Sequence, residues 1–274
     1  MKLAKVPLIN GLGKTIGCEK TPDLIIENLK EIYSNEQEKF IDVNLMDIES
    51  FKVNNEDIED SLNDLYDFAF KIFKSSHKSF FIGGDHSISY PLVRAFFDYC
   101  QSMEDGKIKE PCLIVFDAHP DLMPVAFDKA PSHEEWLRKL IEDGFPVENI
   151  ILVGLRNSDK EELSFISKSK LKKISINSFL EDINEVCDSL MEFASKKELY
   201  VSIDIDVVDP GFAPGTGYLE PGGFSSRELI YLLQRINKMK SLRAIDLVEI
   251  NAEKDKKYDF RTIKLGSKIL GEFL

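Results

Sequence analysis

Residues 112–121, with the sequence CLIVFDAHPD, show most clearly how this chain folds. The run CLIVF is apolar at every position, contains no Gly or Pro, and stops at an aspartate. Continuous apolar runs of this kind are typical of strands that are covered on both faces, as in a parallel sheet with helices on either side. The stretch therefore predicts a buried parallel strand that delivers acidic and basic side chains to one edge of a sheet.

Similar apolar runs recur along the chain, and segments with helical patterns separate them. We predict strands at roughly 3–8, 40–44, 79–82, 112–116, 150–154, 172–176, 200–205 and 244–250. Strand followed by helix, repeated about eight times, is typical of an α/β fold around a mainly parallel sheet of about eight strands. Because no low-complexity linker or internal repeat divides the chain, residues 1–274 are predicted to form a single domain.

Helix starts are marked by capping residues. Thr21 followed by Pro22 predicts a helix with Thr21 as its cap and Pro22 at its first position. Apolar residues at helical spacing predict a helix from Asp57 to Phe73. Capping boxes are predicted at two further helix starts, Ser158 with Glu161 and Ser225 with Glu228.

The composition is that of an ordinary globular protein. Of 274 residues, 43% are hydrophobic and 30% are charged, which excludes a disordered, collagen-like or coiled-coil chain. The formal net charge is −13, and nucleic acids and anionic membranes repel a chain this acidic. We therefore expect neither as a partner, whereas a small cationic substrate is compatible with the charge.

The cysteines and the N-terminus indicate the compartment. The four cysteines are far apart and form no CxxC pair, which argues against structural zinc and against a disulfide framework. The N-terminus lacks the apolar run of a signal peptide, and no stretch reaches the roughly 18 apolar residues of a membrane span. These features predict a soluble protein in a reducing cytoplasm.

Three apolar runs end in carboxylates or imidazoles, in the segments GGDHS (83–87), DAHPD (117–121) and DID (204–206). Because sites in open parallel sheets lie beyond the carboxyl ends of the strands, we expect these segments to meet. Residues two apart in an extended chain face the same way, so alternate side chains converge. The convergent residues are His86, Asp117, His119, Asp121, Asp204 and Asp206. Asp85 and Asp209 are expected to support the surrounding loops.

This set of side chains predicts a metal centre. Four carboxylates at one edge would repel one another strongly unless cations lay between them. Carboxylate and imidazole ligands without a thiolate suit Mn²⁺. Six side chains are too many for one ion that keeps an open position, and they suit two ions about 3.5–4 Å apart with bridging carboxylates. The expected cofactor is therefore two Mn²⁺ ions per chain.

The same segments resemble the arginase/agmatinase family of ureohydrolases. The matching stretches are GGDHS, DAHPD and SIDIDVVDPGFAPGTG (202–217), and Glu249 follows a strand similar to the late Glu-containing strand end of the family. The resemblance spans roughly residues 80–265. It implies a three-layer α/β/α fold, a binuclear manganese centre, hydrolysis of a guanidinium or a related amidine, and a homotrimer or homohexamer.

The resemblance also assigns the metal ligands. One Mn²⁺ would be held by His86, Asp117, Asp121 and Asp204. The other would be held by Asp117, His119, Asp204 and Asp206, with Asp117 and Asp204 bridging. Because a guanidinium is a poor electrophile, its hydrolysis needs hydroxide, which two metal ions supply by lowering the pKa of bound water.

Three further residues receive catalytic roles. Asp121 would take a proton from the attacking water and pass it to the departing amine. His133 resembles the proton-shuttling histidine of the family, and it also suits the first turn of a helix after Ser132. Glu249 would bind the guanidinium through two parallel hydrogen bonds.

At the substrate-binding positions this sequence departs in part from the pattern of the family. Asp159 suits a contact with the α-amino group of arginine or with the far ammonium of agmatine, and it equally suits the first turn of a helix. Thr216 is expected either to hydrogen-bond near the substrate or to shape its loop. Met123 stands where arginases usually carry an Asn that contacts the α-carboxylate of arginine, and the loop 124–130 offers only Lys129 as a replacement. Tyr218 and Leu219 replace the residues that usually continue this segment in the family, and we expect them to alter the pocket wall.

These features favour a manganese-dependent amidinohydrolase that converts agmatine to urea and an amine. Arginase activity, formiminoglutamate hydrolysis and guanidino-acid hydrolysis remain alternatives with the same chemistry. Two other classes of protein also remain open. One is a zinc deacylase with a single metal ion, and the other is a non-catalytic oligomeric protein that binds metal.

Overall fold

The computed structural model describes residues 1–11, 13–54, 57–102, 108–125 and 129–274. Within these residues, eight strands form one sheet in which all neighbouring strands run parallel. The strands are β1 (Lys2–Val6), β2 (Asp47–Ser50), β3 (Ser79–Gly83), β4 (Pro111–Phe116), β5 (Ile150–Val153), β6 (Lys172–Ile174), β7 (Glu198–Asp204) and β8 (Leu242–Val248). Their order across the sheet is β2-β1-β3-β8-β7-β4-β5-β6.

The central strands are buried on both faces, as their continuous apolar sequences predict. In β4, Ile114 and Phe116 pack into the core on one side of the sheet, and Leu113 and Val115 pack into the core on the other side. Successive side chains of a strand point to opposite faces, so a strand covered by helices on both sides needs apolar residues at every position.

Helices cover both faces of the sheet. The helices are α1 (Thr21–Leu29), α2 (Ile58–Ser75), α3 (Ser89–Gln101), α4 (Trp136–Glu142), α5 (Lys160–Ser169), α6 (Ile176–Phe193), α7 (Ser226–Asn237), α8 (Ala252–Asp255) and α9 (Arg261–Phe273). Helices α1, α6, α7 and α9 contribute to one core, and α2 to α5 contribute to the other. This arrangement confirms the predicted α/β fold with three layers. Among the helices that the structure describes, none has the length and apolar character that crossing a membrane requires.

The strand predicted at 40–44 is wrong. Residues Val43–Leu45 form a 3-10 turn, and the side chain of Asp42 accepts a hydrogen bond of 3.0 Å from the Asn44 amide at its start. Strand β2 follows directly and pairs with β1 at the edge of the sheet. No residue of β2 is fully buried, so its sequence DIES lacks the apolar run that marks the central strands.

The start of α1 also differs from the prediction. Thr21 is the first helical residue, and Lys20 occupies the cap position without a side-chain hydrogen bond. The Thr21 hydroxyl instead donates to the Ile250 carbonyl at 2.5 Å, because this end of the helix packs against the loop after β8. The prediction for α2 is confirmed, since Asp57 caps a helix that begins at Ile58.

One predicted capping box forms, and the other shifts by one residue. At α5 the box uses Asp159 and Glu162 in place of Ser158 and Glu161, because the backbone of Asp159 takes the extended conformation of a cap. At α7 the predicted box of Ser225 with Glu228 is present.

The glycine that directly follows β3, Gly84, is required by close packing. A Cβ atom on Gly84 would lie 1.9 Å from the carbonyl oxygen of Leu8. The Gly84 amide also donates a 2.9 Å hydrogen bond to the Val6 carbonyl, which holds this turn against the end of β1. The turn carries the chain from β3 to His86 at the carboxyl edge of the sheet.

Candidate metal centre and substrate cavity

The ends of β3, β4 and β7 bring the six proposed metal ligands to one edge of the sheet, and the first group surrounds His86. His86 Nδ1 lies 3.1 Å from Asp117 Oδ2 and 2.9 Å from Asp121 Oδ2. It also lies 3.2 Å from Asp204 Oδ2. The other ring nitrogen, Nε2, lies 3.0 Å from Ser202 Oγ. His86 thus directs one nitrogen at three carboxylates while an outer group holds the other, as in most metal-binding histidines.

The second group surrounds His119. Its Nδ1 lies 2.8 Å from Asp206 Oδ2 and 3.7 Å from Asp117 Oδ1, so Asp117 takes part in both groups. Its Nε2 lies 3.2 Å from Glu220 Oε1, which also accepts a 2.9 Å hydrogen bond from the Asn157 side chain. Both histidines therefore have the same arrangement. Nδ1 points toward the carboxylate cluster, and Nε2 contacts a polar side chain outside that cluster.

The carboxylates carry more negative charge than their surroundings balance. Burial, followed by the charges of Asp121, Asp206 and Asp204, raises the pKa of Asp117 well above its ordinary value. Burial and the charge of Asp206 raise the pKa of Asp204 to about 7. Burial acts against His119, but its hydrogen bond with Asp206 raises the pKa of the imidazole to about 11. Bound cations would relieve this repulsion.

The donor set contains clusters that could hold metal ions. His86 Nδ1 and Asp117 Oδ2 are buried and lie close to each other, but neither makes a hydrogen bond of acceptable geometry among the residues that the structure describes. Ligand atoms of His86, Asp117 and Asp121 lie within 4.8 Å of one another, as do those of Asp117, His119 and Asp206. Oxygen and imidazole nitrogen donors in this ratio suit manganese better than a soft metal.

Two side chains of the site extend from left-handed backbone. Asp121 has a φ of 51° and Glu249 a φ of 62°, values that residues other than glycine adopt rarely. The indole Nε1 of Trp136 donates a 2.8 Å hydrogen bond to Asp121 Oδ2 and fixes this carboxylate beside His86. Such backbone persists where the surroundings hold it, and it concentrates at functional sites.

Glu249, His133 and Asp85 form a third buried cluster, with ligand atoms within 4.8 Å of one another. Glu249 Oε1 accepts a 2.9 Å hydrogen bond from the His86 amide and lies 4.0 Å from His133 Nδ1. Glu249 Oε2 and His133 Nδ1 are buried and find no hydrogen-bond partner in the described parts of the chain. Burial, with the charges of Asp204 and Asp85, raises the pKa of Glu249 well above its ordinary value.

Asp85 and Asp209 support loops, as the sequence predicts. Asp85 accepts hydrogen bonds from the amides of Asn10 (2.7 Å) and Ser87 (3.2 Å). Asp209 accepts from the amides of Gly211 (2.8 Å) and Gly222 (2.7 Å). Both carboxylates therefore shape the chain around the site.

A cavity of about 580 Å³ opens onto the candidate metal ligands. Tyr218 forms one wall, with its ring centroid 5.4 Å from that of His133 and 5.9 Å from that of His119. Lys14 Nζ lies 4.3 Å from the centroid of the same ring. The remaining wall contains apolar Met123 and the acidic residues Glu134, Asp159 and Glu220.

The other predicted contact residues are placed as follows. Asp159 lines the cavity and also caps α5, where its Oδ1 accepts a 2.8 Å hydrogen bond from the Glu161 amide. Thr216 is buried, and its backbone forms an isolated antiparallel β-bridge with Ile250. Its hydroxyl has no hydrogen-bond partner within the described residues. Lys129 lines a separate cavity of about 440 Å³. Residues 126–128 of the loop predicted to lack a carboxylate-binding cluster lie outside the described residues.

Several residues of the site were not recognised from the sequence. Trp136 follows SHEE directly, and Ser202 lies two positions before the DID segment, so proximity to the motifs was a signal for both. Asp246 is a charge inside the apolar run of β8, which is itself an unusual feature. Glu220 and Lys14 lie in loops, and nothing in their local sequence indicates where they point.

Comparison with known proteins gives consistent results. A model of the arginase family matches residues 2–274. The chain is 34% identical over 195 residues to an agmatinase of Bacillus subtilis (strain 168), covering 70% of this chain and 61% of that protein. It is 32% identical over 191 residues to the mitochondrial arginase 1 of Oryza sativa subsp. indica, covering 70% of this chain and 53% of that protein. The chain thus spans little more than half the length of these curated relatives.

Solved structures share the fold. The formimidoylglutamase of Bacillus subtilis subsp. subtilis str. 168 superposes with a TM-score of 0.86 at 23% identity, over 99% of this chain and 85% of that chain. The agmatine ureohydrolase of Thermoplasma volcanium gives a TM-score of 0.82 at 23% identity, over 99% and 87%. Because the family match extends over nearly the whole sequence, from residue 2 to residue 274, this chain belongs to the arginase family.

Proposed function

We propose that the protein is a manganese-dependent amidinohydrolase that converts a guanidino compound, with agmatine favoured, to urea and an amine. The observation that carries this proposal is the position of Glu249. Its buried Oε2 has no partner within the described chain, and its Oε1 hydrogen-bonds the backbone amide of a metal-ligand candidate, His86. A carboxylate placed this way suits a planar cation that reacts beside two metal ions.

Two ions are proposed to share these ligands. One would be bound by His86, Asp117, Asp121 and Asp204, and the other by Asp117, His119, Asp204 and Asp206. Such ions supply positive charge that makes water more acidic and polarises the bond to be broken. The six donors, the four carboxylates among them and the inward Nδ1 atoms support this assignment.

The guanidinium would bind in the cluster of Glu249, His133 and Asp85. This cluster is buried and has two acidic members, so a delocalised cation offsets its charge. Glu249 Oε1 already accepts a hydrogen bond from the His86 amide. Each carboxylate oxygen has two lone pairs, so both oxygens can still accept hydrogen bonds from a guanidinium. Thr216 is buried next to Ile250, and its free hydroxyl is a further acceptor that we propose near the substrate.

Proton transfer is assigned to Asp121 and His133. Asp121 Oδ2 accepts from Trp136 Nε1 at 2.8 Å, so this carboxylate is oriented before the substrate binds. It would take a proton from the attacking water and return it to the departing amine. His133 Nε2 lies 3.3 Å from Glu134 Oε1, and Glu134 reaches solvent, so this pair offers a route for protons between the cavity and water.

The cavity favours a cationic tail on the substrate. Met123 offers no hydrogen bond to a carboxylate, and Lys129 lines a different cavity. Glu134, Asp159 and Glu220 add negative charge around the opening, whereas Lys14 is held over the Tyr218 ring. A substrate carboxylate without a partner would pay a large desolvation cost, which agmatine avoids because it has none.

Product release from a panel of substrates tests the proposal. Mn²⁺-loaded protein would be assayed for urea from agmatine, L-arginine and guanidinobutyrate, and for formamide from formiminoglutamate. We expect kcat/KM for agmatine to exceed that for L-arginine at least about tenfold, the effect of one hydrogen-bonded charge. A preference for arginine would show that another residue, such as Lys14, binds the carboxylate. Activity on none of the four would contradict the proposed function.

The oligomeric state and the cellular location are also proposals. The family resemblance supports a homotrimer or homohexamer, which sedimentation of the purified protein would measure. All four cysteines, Cys18, Cys100, Cys112 and Cys187, are free and buried, which supports a reducing, cytoplasmic location.

A further inference from the structure

Asp246 is a buried carboxylate that none of the steps above uses. It lies in the middle of β8 between apolar neighbours and is 0% exposed. Three hydroxyl groups donate to it, from Tyr200 at 2.9 Å, Ser202 at 2.7 Å and Ser89 at 2.9 Å. A carboxylate in the centre of a sheet is costly to bury, so this arrangement calls for an explanation other than core packing.

Ser202 connects this carboxylate to the metal centre. Its hydroxyl has a single proton, which it donates to Asp246 Oδ1. The Ser202 oxygen, 3.0 Å from His86 Nε2, therefore acts as the acceptor, and Nε2 carries the hydrogen. With its hydrogen on Nε2, the neutral ring keeps its lone pair on Nδ1, the atom that faces the carboxylates of Asp117 and Asp121.

We propose that Asp246 and Ser202 are positioning residues that hold His86 in the tautomer and orientation needed to bind one of the two metal ions. This inference rests on the metal centre of the proposed function and extends it to two residues that touch neither metal nor substrate. Tyr200 and Ser89 keep Asp246 in place from the other directions, so the carboxylate directs the Ser202 hydroxyl rather than turning toward it.

Two of the hydroxyl groups that donate to Asp246 provide a matched pair of variants for the test. Ser202→Ala and Tyr200→Phe each remove one hydroxyl donor from Asp246, but only Ser202 contacts His86. Metal-stripped protein would be titrated with Mn²⁺, and the two dissociation constants compared with those of the unchanged protein. We expect Ser202→Ala to weaken one of the two sites about 10-fold to 100-fold, the usual effect of losing an outer partner of a metal-binding histidine. Tyr200→Phe should leave both constants within about twofold, because Ser89 and Ser202 still donate to Asp246 and hold it in place.

Fold stability is measured in parallel. Thermal unfolding of both metal-free variants shows whether either loses structure, and Ser202→Thr, which keeps the hydroxyl, should restore the Mn²⁺ affinity that Ser202→Ala loses. Unchanged Mn²⁺ binding in Ser202→Ala, or equal weakening in Tyr200→Phe, would overturn the proposal. Because the measurement is Mn²⁺ affinity, its outcome does not depend on whether the protein hydrolyses any guanidino compound.

Discussion

At the scale of single residues, Glu249 is the group that we propose to bind the guanidinium. Replacing it with Gln keeps its shape but removes the charge, and a hydrogen bond to a charged group contributes about 1.5–3 kcal/mol. We expect Glu249→Gln to lower kcat/KM on the favoured guanidino substrate at least about tenfold. Metal analysis of the same preparation should still find both ions. Steady-state assays of product release measure the change.

A nearby glutamate serves as the control for this variant. Glu253 is exposed, pairs with Lys20 at 2.5 Å and lies outside the cavity lining. Glu253→Gln should therefore keep the kcat/KM of the unchanged protein. Equal activity of Glu249→Gln and Glu253→Gln would remove Glu249 from the proposed substrate site.

Losing a ligand that belongs to both groups should reduce the metal content more than losing a ligand that belongs to one group. Asp117 contributes to both groups, whereas His119 contributes to one. After dialysis against limiting Mn²⁺, Asp117→Asn should lose both ions, and His119→Asn should lose mainly one. Elemental analysis of the dialysed proteins gives the metal content per chain. A normal metal content in Asp117→Asn would show that Asp117 does not bridge the ions.

The convergence of the ligand candidates was predictable residue by residue, but their outer partners were not. Asp117 and Asp204 end or directly follow apolar strands, and His86 lies three positions after one. The rule for parallel sheets places such residues together. Glu220 reaches His119 across 101 positions of sequence from an irregular loop. Only the tertiary structure determines that contact, because neither the periodicity nor the local composition of the loop specifies its direction.

At the scale of elements, Asp159 both caps α5 and faces the cavity, and two variants separate these roles. Asn is as good a helix cap as Asp, so Asp159→Asn should keep the stability of the protein. It removes the negative charge proposed to meet the ammonium of agmatine, so kcat/KM for agmatine should fall while that for guanidinobutyrate should not. Denaturant unfolding and the two assays measure these effects.

Ser225 supplies the comparison, because it caps α7 in a similar capping box and is absent from the cavity lining. Ser225→Ala should cost about 0.5–2 kcal/mol of stability without changing either kcat/KM. If Asp159→Asn hydrolysed agmatine like the unchanged protein, Asp159 would be a helix cap alone.

The sequence prediction misplaced the elements whose apolar pattern is weak. Residues 40–44 are partly apolar, yet Asp42 binds the Asn44 amide and turns the chain, while the strand forms at the polar sequence DIES. An edge strand needs only one pairing partner and little burial, so its sequence carries no continuous apolar run. For the buried central strands, burial on both faces leaves little freedom in sequence, and the predictions were correct there.

At the scale of the whole molecule, the crowded carboxylates predict how stability depends on pH and metal. Burial and Asp206 raise the pKa of Asp204 to about 7, so folding of the metal-free protein is progressively disfavoured as pH rises from about 4 to 7. His119, with a pKa of about 11, stabilises the fold fully below pH of about 6.5 and loses this contribution as pH rises further. Both groups therefore lower the stability of the metal-free protein as pH rises.

We therefore expect the melting temperature of metal-free protein to fall between about pH 5 and pH 8. Mn²⁺ at 100 times its dissociation constant should add about 2.7 kcal/mol per ion. At one fixed Mn²⁺ concentration the gain should be larger at higher pH, because binding displaces protons. Thermal scans with EDTA and with Mn²⁺ across this range measure both effects. Parallel curves with and without Mn²⁺ would contradict the assignment of these carboxylates to metal binding.

The number and direction of the strands followed from the sequence pattern, but their order did not. Apolar runs identify buried strands without stating which strands are neighbours, and the same strand and helix sequence permits several arrangements of the sheet. The single-domain organisation of residues 1–274 likewise stays a prediction, although one sheet connects the described parts of the chain.

The order of the sheet has a consequence for biosynthesis. Strand β8 lies between β3, which leads to His86, and β7, which ends at Asp204, although both are translated before it. Until Leu242–Val248 has left the ribosome, β3 and β7 lack the strand that joins them, and His86 has no fixed position relative to Asp204. Strands β4 and β7 pair directly, so the residues at their ends can come together earlier. The insertion of β8 therefore completes the candidate metal centre by bringing His86 to carboxylates that are already in place.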